Sequence, residues 1–233
     1  MWGITPGASR FGEAQAQLTP LSSLSNFGSF GSDIGTISPD YFEGNVNIST
    51  SFLFFKSPPG DLVDHISFSV MTWVLHADGT YYIETSPVFG EVFAFYEIYH
   101  LLFQYGAPAT VSLLTTSRLP KKGELGGYFR ILLVYPEQGF LVHYDIPMKV
   151  VGPNVLGCPA NAQIKMELYP SGDGDTFFGL LDSHWQQVVM KYPHLEEKTS
   201  MTIDEFYETF RQPSDECIET PADLWPEPDQ GGG

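Results

Sequence analysis

The chain has 233 residues, of which 28 are acidic and 11 are basic, so its formal net charge at pH 7 is −17. A charge of this size repels phosphate backbones and anionic lipid surfaces, which argues against nucleic acid as a partner. Hydrophobic residues make up 42% of the chain and charged residues only 17%. This composition is typical of a globular protein whose surface is rich in Ser, Thr, Gly and Asn rather than in charges.

The N-terminal segment predicts one helix and then a connection. A Pro-Gly turn and a serine suited to N-capping precede a helix that should begin near Arg10. Phe11, Ala14 and Leu18 then share one face of this helix. Residues 22–40 are rich in Ser, Gly and Pro, and we expect them to form an irregular connection.

Alternating apolar residues predict two strands, at 46–56 and 66–76. An Asp-Gly turn at 77–80 follows, and residues 81–84 are expected to pair back as a third strand. One face of this sheet should pack against helices through Ile48, Phe52, Phe54, Ile66, Phe68 and Val70.

The opposite face of the same sheet carries six large apolar side chains: Leu53, Phe55, Met71, Trp73, Leu75 and Tyr82. A sheet face in contact with water should be polar, and a large exposed apolar patch usually marks an interface. We therefore predict that these residues bind a protein or another extracellular polymer. The sequence leaves a second interpretation open, in which the C-terminal helices, or Phe27 and Phe30, fold back and cover this face.

The second half repeats the order of helix and strands. A helix that begins after residues 86–87 should run through Phe95, Ile98, Tyr99 and Leu102 and stop at Gly106. Strands are expected at 110–116, 128–135, 140–146 and 164–169, followed by helices over 176–191 and from the Thr202-Ile203-Asp204-Glu205 capping box, and by an extended tail from residue 218.

This order predicts an α+β fold of two tandem helix-then-antiparallel-sheet repeats with C-terminal helices. The first repeat would span residues 1–86 and the second residues 87–170. Residues 171–233 would form a C-terminal helical segment with an acidic tail.

Short motifs in the chain resemble a known superfamily. Three motifs are similar to those of the small outer-membrane lipoprotein and β-lactamase-inhibitor-like superfamily. They are Ile4-Thr5-Pro6-Gly7-Ala8-Ser9 with Glu13-Ala14, Phe89-Gly90-Glu91-Val92 with Gln104-Tyr105-Gly106-Ala107-Pro108, and Tyr135-Pro136-Glu137-Gln138-Gly139-Phe140. With Cys158-Pro159 and residues 206–210, the pattern is most similar to two-repeat bacterial lipoproteins of uncharacterised role. The resemblance implies helices packed on an antiparallel sheet, a scaffolding or protein-binding role without catalytic apparatus, and membrane attachment only through a lipid anchor.

The two cysteines are relevant to the cellular compartment of the protein, because they can form a disulfide. A bond between Cys158 and Cys217 would close a loop of about 60 residues, which the chain-entropy model values at roughly 4 kcal/mol. Separately buried, reduced cysteines are the alternative. The polar, weakly charged surface with 15% aromatic residues and 18 prolines is typical of an exported protein, so we expect an extracellular or cell-surface location. The chain shows no basic region followed by an apolar run, and we expect its signal segment to be absent from this sequence.

The sequence shows no signature of a catalytic or cofactor site. The six histidines lack paired metal-ligand spacing, no Gly-x-Ser-x-Gly elbow is present, and Asp173-Gly174-Asp175 fits a helix-initiating turn better than a calcium loop. We expect neither a cofactor nor enzymatic activity. Two alternatives to a binding protein are a hydrolase-like enzyme centred on His143, Asp145 and Arg130, and a structural or self-assembling envelope protein.

Overall fold

The structure is a computed structural model that describes residues 3–22, 27–30, 33–38, 40–56, 60–79, 81–83, 94–115, 128–159, 162–181 and 183–225. It shows a mixed α/β fold with a large antiparallel sheet and several helices. The chain divides into two compact units. Unit 1 comprises Met1–Phe89, Tyr135–Val142 and Lys165–Gln186, and unit 2 comprises Gly90–Val134, His143–Ile164 and Gln187–Gly233.

The helices are short. Among the described residues they are α1 (Phe11–Ser22), α2 (Ile98–Tyr105), α3 (Gly174–Leu180), α4 (Ser183–Lys191), α5 (Leu195–Lys198) and α6 (Ile203–Phe210). None of the helices in these ranges is long and apolar enough to cross a membrane.

The strands fall into one large and one small set. They are β1 (Phe27–Phe30), β2 (Ile34–Ser38), β3 (Asp40–Glu43), β4 (Val46–Phe55), β5 (His65–Leu75), β6 (Tyr81–Ile83), β7 (Thr110–Thr115), β8 (Tyr128–Tyr135), β9 (Phe140–Pro147), β10 (Lys149–Val151), β11 (Asn154–Gly157), β12 (Gln163–Leu168) and β13 (Ile218–Pro221). The small set, β10-β11-β13, lies in unit 2.

In unit 1 the antiparallel sheet has the order β1-β2-β4-β5, and β3 also pairs with β4 while β6 also pairs with β5. It continues from β5 to residues 165–168 of β12 and 140–142 of β9. The β4–β5 register runs from Val46 opposite Val74 to Phe55 opposite His65. The two strands predicted from alternation are therefore confirmed, and the register fixes which side chains share a face.

The prediction that residues 22–40 form an irregular connection is wrong. β1 and β2 pair antiparallel with each other, and β2 extends the sheet by placing Ile37 opposite Phe52. Ile37 is 1% exposed. Pairing with β2 gives hydrogen-bond partners to backbone groups of β4 that would otherwise lack them. These bonds stabilise a strand in a segment whose Ser/Gly composition alone favours turns.

The predicted core face of unit 1 is confirmed. Its six residues are at most 6% exposed: Ile48, Phe52, Phe54, Ile66, Phe68 and Val70. The rings of Phe52 and Phe68 stack with centroids 4.7 Å apart. The predicted face of α1 is confirmed as well, since Phe11, Ala14 and Leu18 are at most 4% exposed.

Helix α2 of unit 2 stops where the sequence predicts, and its first residue is Ile98. Gly106 adopts a φ of 81° and donates its N–H to Leu102 O, which ends the helix. At the other end, Glu97 is extended and precedes the first helical residue, Ile98. Phe95 therefore lies in a 3-10 turn before α2 and is 74% exposed, so the prediction of one helix that runs through Phe95 is wrong. The predicted start of that helix, after residues 86–87, lies outside the described residues.

The predicted single helix over 176–191 is two helices. Leu181 is extended, with ψ 140°, after the end of α3. The Nε2 atom of Gln186 in α4 donates to Phe178 O and Leu181 O, which gives hydrogen-bond partners to carbonyls released by the break. Two other predictions hold: Asp173 caps α3, and Thr202 and Glu205 form the capping box of α6.

The small sheet of unit 2, which the sequence did not predict, carries the confirmed disulfide. Gly157 at the end of β11 pairs with Ile218 at the start of β13, which brings the adjacent Cys158 and Cys217 together in a disulfide. A Cβ at residue 157 would collide with the buried ring of Phe129, so glycine is required at this close approach.

Candidate binding surface

The side of the unit 1 sheet opposite the core face, named the second face below, carries five of the six predicted binding residues. The described ones are all half-buried: Leu53, Phe55, Met71, Trp73 and Leu75. The predicted place of Tyr82 on the second face is wrong, because β6 pairs Tyr82 with Val74, a position on the core-face side of the sheet. The side chain of Tyr82 itself lies outside the described residues. The second face is thus neither fully buried nor fully open to solvent.

Two apolar residues that sequence reasoning missed also lie on the second face. Phe42 of β3 is 60% exposed and lies opposite Asn47, which lies opposite Trp73 on the next strand. Ile34 of β2 is 46% exposed and lies opposite Phe55. Directly opposite residues in antiparallel strands point to the same side of the sheet. β3 has only four residues, too few for alternation to reveal Phe42 in the sequence.

Serines divide the apolar residues of the second face into two groups. We call Phe42, Met71, Trp73 and Leu75 the Trp73 cluster, and Ile34, Leu53 and Phe55 the Phe55 cluster. Ser51 pairs with Ser69 between them, and Ser49 pairs with Met71. The surface therefore combines aromatic and aliphatic groups with hydroxyls that can hydrogen-bond to a partner.

Helix α3 covers the end of the second face next to the Phe55 cluster. The ring of Phe55 stacks on His65 with centroids 4.0 Å apart, and His65 stacks on Tyr169 at 5.1 Å. Tyr169 meets Phe177 of α3 edge-on at 5.9 Å, and Phe177 is fully buried. The interpretation that C-terminal helices cover the face thus applies at this end. Phe27 and Phe30 lie in β1, and their side chains are outside the described residues.

A buried polar network lies beside the Phe55 cluster. The Ser67 hydroxyl donates to Glu167 Oε1 at 3.0 Å, and the side chain of Glu167 is 3% exposed. The ammonium of Lys165 lies 3.0 Å from the same carboxylate oxygen and 5.0 Å from the ring centroid of Trp185 in α4. A buried carboxylate requires such compensation, so Lys165 links β12 to α4 electrostatically.

Replacing Lys165 with Gln should lower the free energy of unfolding by roughly 1–3 kcal/mol. The change removes the charge that compensates Glu167 and the cation–π contact with Trp185. The loss should stay below that of a fully buried pair because the Lys165 side chain is 42% exposed. Urea unfolding measures the effect, with Lys149→Gln on the exposed surface of β10 as the matched control. Equal losses in the two variants would contradict this role.

The residues of the hydrolase hypothesis lie in unit 2. Arg130 donates from Nε and Nη2 to the two carboxylate oxygens of Asp145, and from Nη1 to the Tyr192 hydroxyl at 3.2 Å. Burial acts to lower the pKa of Arg130, but its bonds to Asp145 and Tyr192 raise that pKa overall. His143 is 5% exposed. This geometry favours a partly buried structural ion pair over an acid–base centre open to substrate.

The described residues contain no group of three or more His, Cys, Asp or Glu side chains placed to hold a metal ion. Comparisons of the chain with protein-family models, with curated proteins and with solved structures find no match. The resemblance to the lipoprotein superfamily therefore stays a prediction that depends on the quoted motifs.

Proposed function

We propose that this chain is a non-enzymatic binding or scaffolding protein that holds a protein partner on the second face of unit 1. The observation that carries the proposal is the exposure of Phe42, 60%, in the same cross-strand row as the half-buried Trp73. Aromatic residues dominate the binding energy of protein interfaces when a partner removes them from water. The Trp73 cluster would supply this apolar centre.

The polar neighbours of the Trp73 cluster support a protein partner. Asn47, Ser49 and Ser51 lie on the same face as the cluster, and protein interfaces combine an apolar centre with a hydrogen-bonding rim. The net charge of −17 disfavours a polyanionic partner. Another extracellular polymer that offers apolar surface and hydroxyls is the alternative ligand class.

The proposed location is the cell surface or the extracellular space. A disulfide between Cys158 and Cys217 supports this, because disulfides persist in oxidising compartments. Kinship with two-repeat lipoproteins belongs to the same proposal, and a lipid anchor would then be the means of membrane attachment.

The internal duplication is also proposed, with repeats over residues 1–86 and 87–170. Among the described residues, α1 precedes β1–β6 along the chain, and α2 precedes β7–β9. Such a shared order is the pattern expected of a duplicated structural element.

Substitution of Phe42 by Ser should weaken capture of the partner at least tenfold, because it removes an exposed aromatic contact and leaves the buried core face intact. The immobilised full chain would first be used to isolate the partner from extracellular medium. Affinities of the purified partner for the wild type and the variants would then be measured by calorimetry.

Tyr41→Ser is the matched control for Phe42→Ser. Tyr41 is the preceding residue of β3 and is 44% exposed, but it lies opposite Ile48 and so belongs to the other side of the sheet. We expect its affinity to stay within about twofold of the wild type. Equal weakening in both variants, or in neither, would contradict binding through the second face.

A further inference from the structure

A second aromatic surface lies in unit 2, on the exposed side of α2. The helix buries Ile98, Leu101 and Leu102 and leaves Tyr99 and Phe103 on the other side. Phe95 lies in the turn before the helix, where its ring contacts that of His100, and we call Phe95, Tyr99 and Phe103 the α2 stripe. Phe95 is 74% exposed and Phe103 is 80% exposed. Two phenylalanines this exposed on one stripe indicate a contact surface rather than scattered surface residues.

His100 makes the first part of the α2 stripe continuous. Its ring lies 5.8 Å from the ring of Phe95 and 4.2 Å from the ring of Tyr99, measured between centroids. A partner that reaches Phe95 therefore meets one connected aromatic surface that extends to Tyr99, a residue that also lines a neighbouring groove.

The groove next to the α2 stripe has a volume of about 150 Å³. It is lined by Glu97, Ile98, Tyr99, Pro159, Phe210, Gln212, Pro213, Ser214 and Asp215. Sites for whole small-molecule ligands are larger, at about 300–1,000 Å³. This groove therefore has the size for one long side chain of a partner rather than for a complete small ligand.

The charges that line the groove have one sign. Within the described part of the chain, Glu97 and Asp215 are the ionisable carboxylates that line the groove, and no Lys or Arg lines it. Burial raises the pKa of Glu97, an effect that its hydrogen bond with Tyr99 and the proximity of His100 partly oppose. A carboxylate that has lost part of its hydration gains from a cation placed beside it, so the groove is complementary to positive charge.

We propose that the groove receives a lysine or arginine side chain of a protein partner while neighbouring apolar residues of that partner lie on the α2 stripe. Glu97 and Asp215 would pair with the cation, and the ring of Tyr99 would lie along its aliphatic and charged parts. Two carboxylates are too few for a calcium site, which takes six to eight oxygen ligands. This inference does not depend on the second face of unit 1.

The test uses two dipeptide probes of nearly the same shape, the cationic N-acetyl-leucyl-arginine amide and its neutral citrulline counterpart, in which a carbonyl oxygen replaces one NH2 group of the guanidinium. NMR titration of the ¹⁵N-labelled full chain follows the amide signals of Tyr99, Gln212 and Asp215. We expect the arginine probe to shift these signals with an affinity about tenfold higher than the citrulline probe, and to weaken with added salt.

Variants assign the preference to the groove. In Glu97→Gln/Asp215→Asn, the ratio of the arginine-probe affinity to the citrulline-probe affinity should fall below about twofold. The control Glu216→Gln removes one charge at an exposed residue outside the groove lining and should leave this ratio unchanged. Phe103→Ser should weaken both probes equally, because it removes only the apolar contact. Each variant is first checked by its melting temperature, and the Phe103→Ser result keeps the test valid where the double variant is unstable.

Three results would overturn the proposal. One is equal affinity for the two probes, the second is no shift of the groove signals with either probe, and the third is a preference for arginine that survives in Glu97→Gln/Asp215→Asn.

Discussion

Removal of the Cys158–Cys217 disulfide is expected to lower the free energy of unfolding by about 4 kcal/mol. The bond joins residues 59 positions apart, and the entropy of closing a loop of this length in the unfolded chain gives that value. It also fastens β13 to β11 at the pair formed by Gly157 and Ile218. The C-terminal segment of unit 2, which contains the buried Trp225, is held to β11 at this point.

The measurement compares the wild type with Cys158→Ala/Cys217→Ala by calorimetry. For a chain of this size the melting temperature should fall by roughly 8–16 °C. Wild-type protein unfolded in the presence of a reducing agent is the control, and it should lose a similar amount. A loss below about 1 kcal/mol in both samples would show that the bond adds little to folding.

Truncation of Phe68 to Ala is expected to cost roughly 3–5 kcal/mol, because it leaves a cavity in the core face of unit 1. Phe68 is fully buried and stacks on Phe52. The same truncation at Phe42, which is 60% exposed on the second face, should cost less than about 1 kcal/mol. Both variants delete the same atoms, so the difference between their free energies of unfolding reports the effect of burial alone.

Denaturant unfolding of Phe68→Ala and Phe42→Ala under identical conditions measures this difference. It also separates stability from binding, since Phe42 is the residue on which capture of the partner is expected to depend. Similar losses in the two variants would mean that Phe42 belongs to the core, and the second face would then not be a free contact surface.

Much of unit 1 could be predicted from alternation. The sequence predicts a buried face because successive strand residues point to opposite sides of a sheet, so every second residue shares a face. This face carries Phe52, Phe54, Ile66 and Phe68, all of which are buried. The pairing that adds β2 to β4 could not be predicted. The segment that holds β1 and β2 has the composition of a loop, and the stability of β2 comes from backbone hydrogen bonds to β4, a strand further along the chain.

The candidate site was only partly predictable for the same reason. Alternation along the long strand β5 predicts that Trp73 and Met71 share a face. Phe42 joins this face only because β3 pairs with β4. Phe95 has the spacing of a buried helical residue, and it is exposed because α2 begins after it. Local periodicity predicts a face correctly only where the element that carries it is actually present.

The account depends most on the second face of unit 1 as the contact surface. Hydroxyl-radical footprinting, read by mass spectrometry on the free chain and on its complex with the captured partner, tests this directly. We predict that Phe42 and Trp73 are labelled in the free chain and protected in the complex, while Tyr41 is labelled equally in both. Unchanged labelling of Phe42 and Trp73 on partner binding would contradict the account.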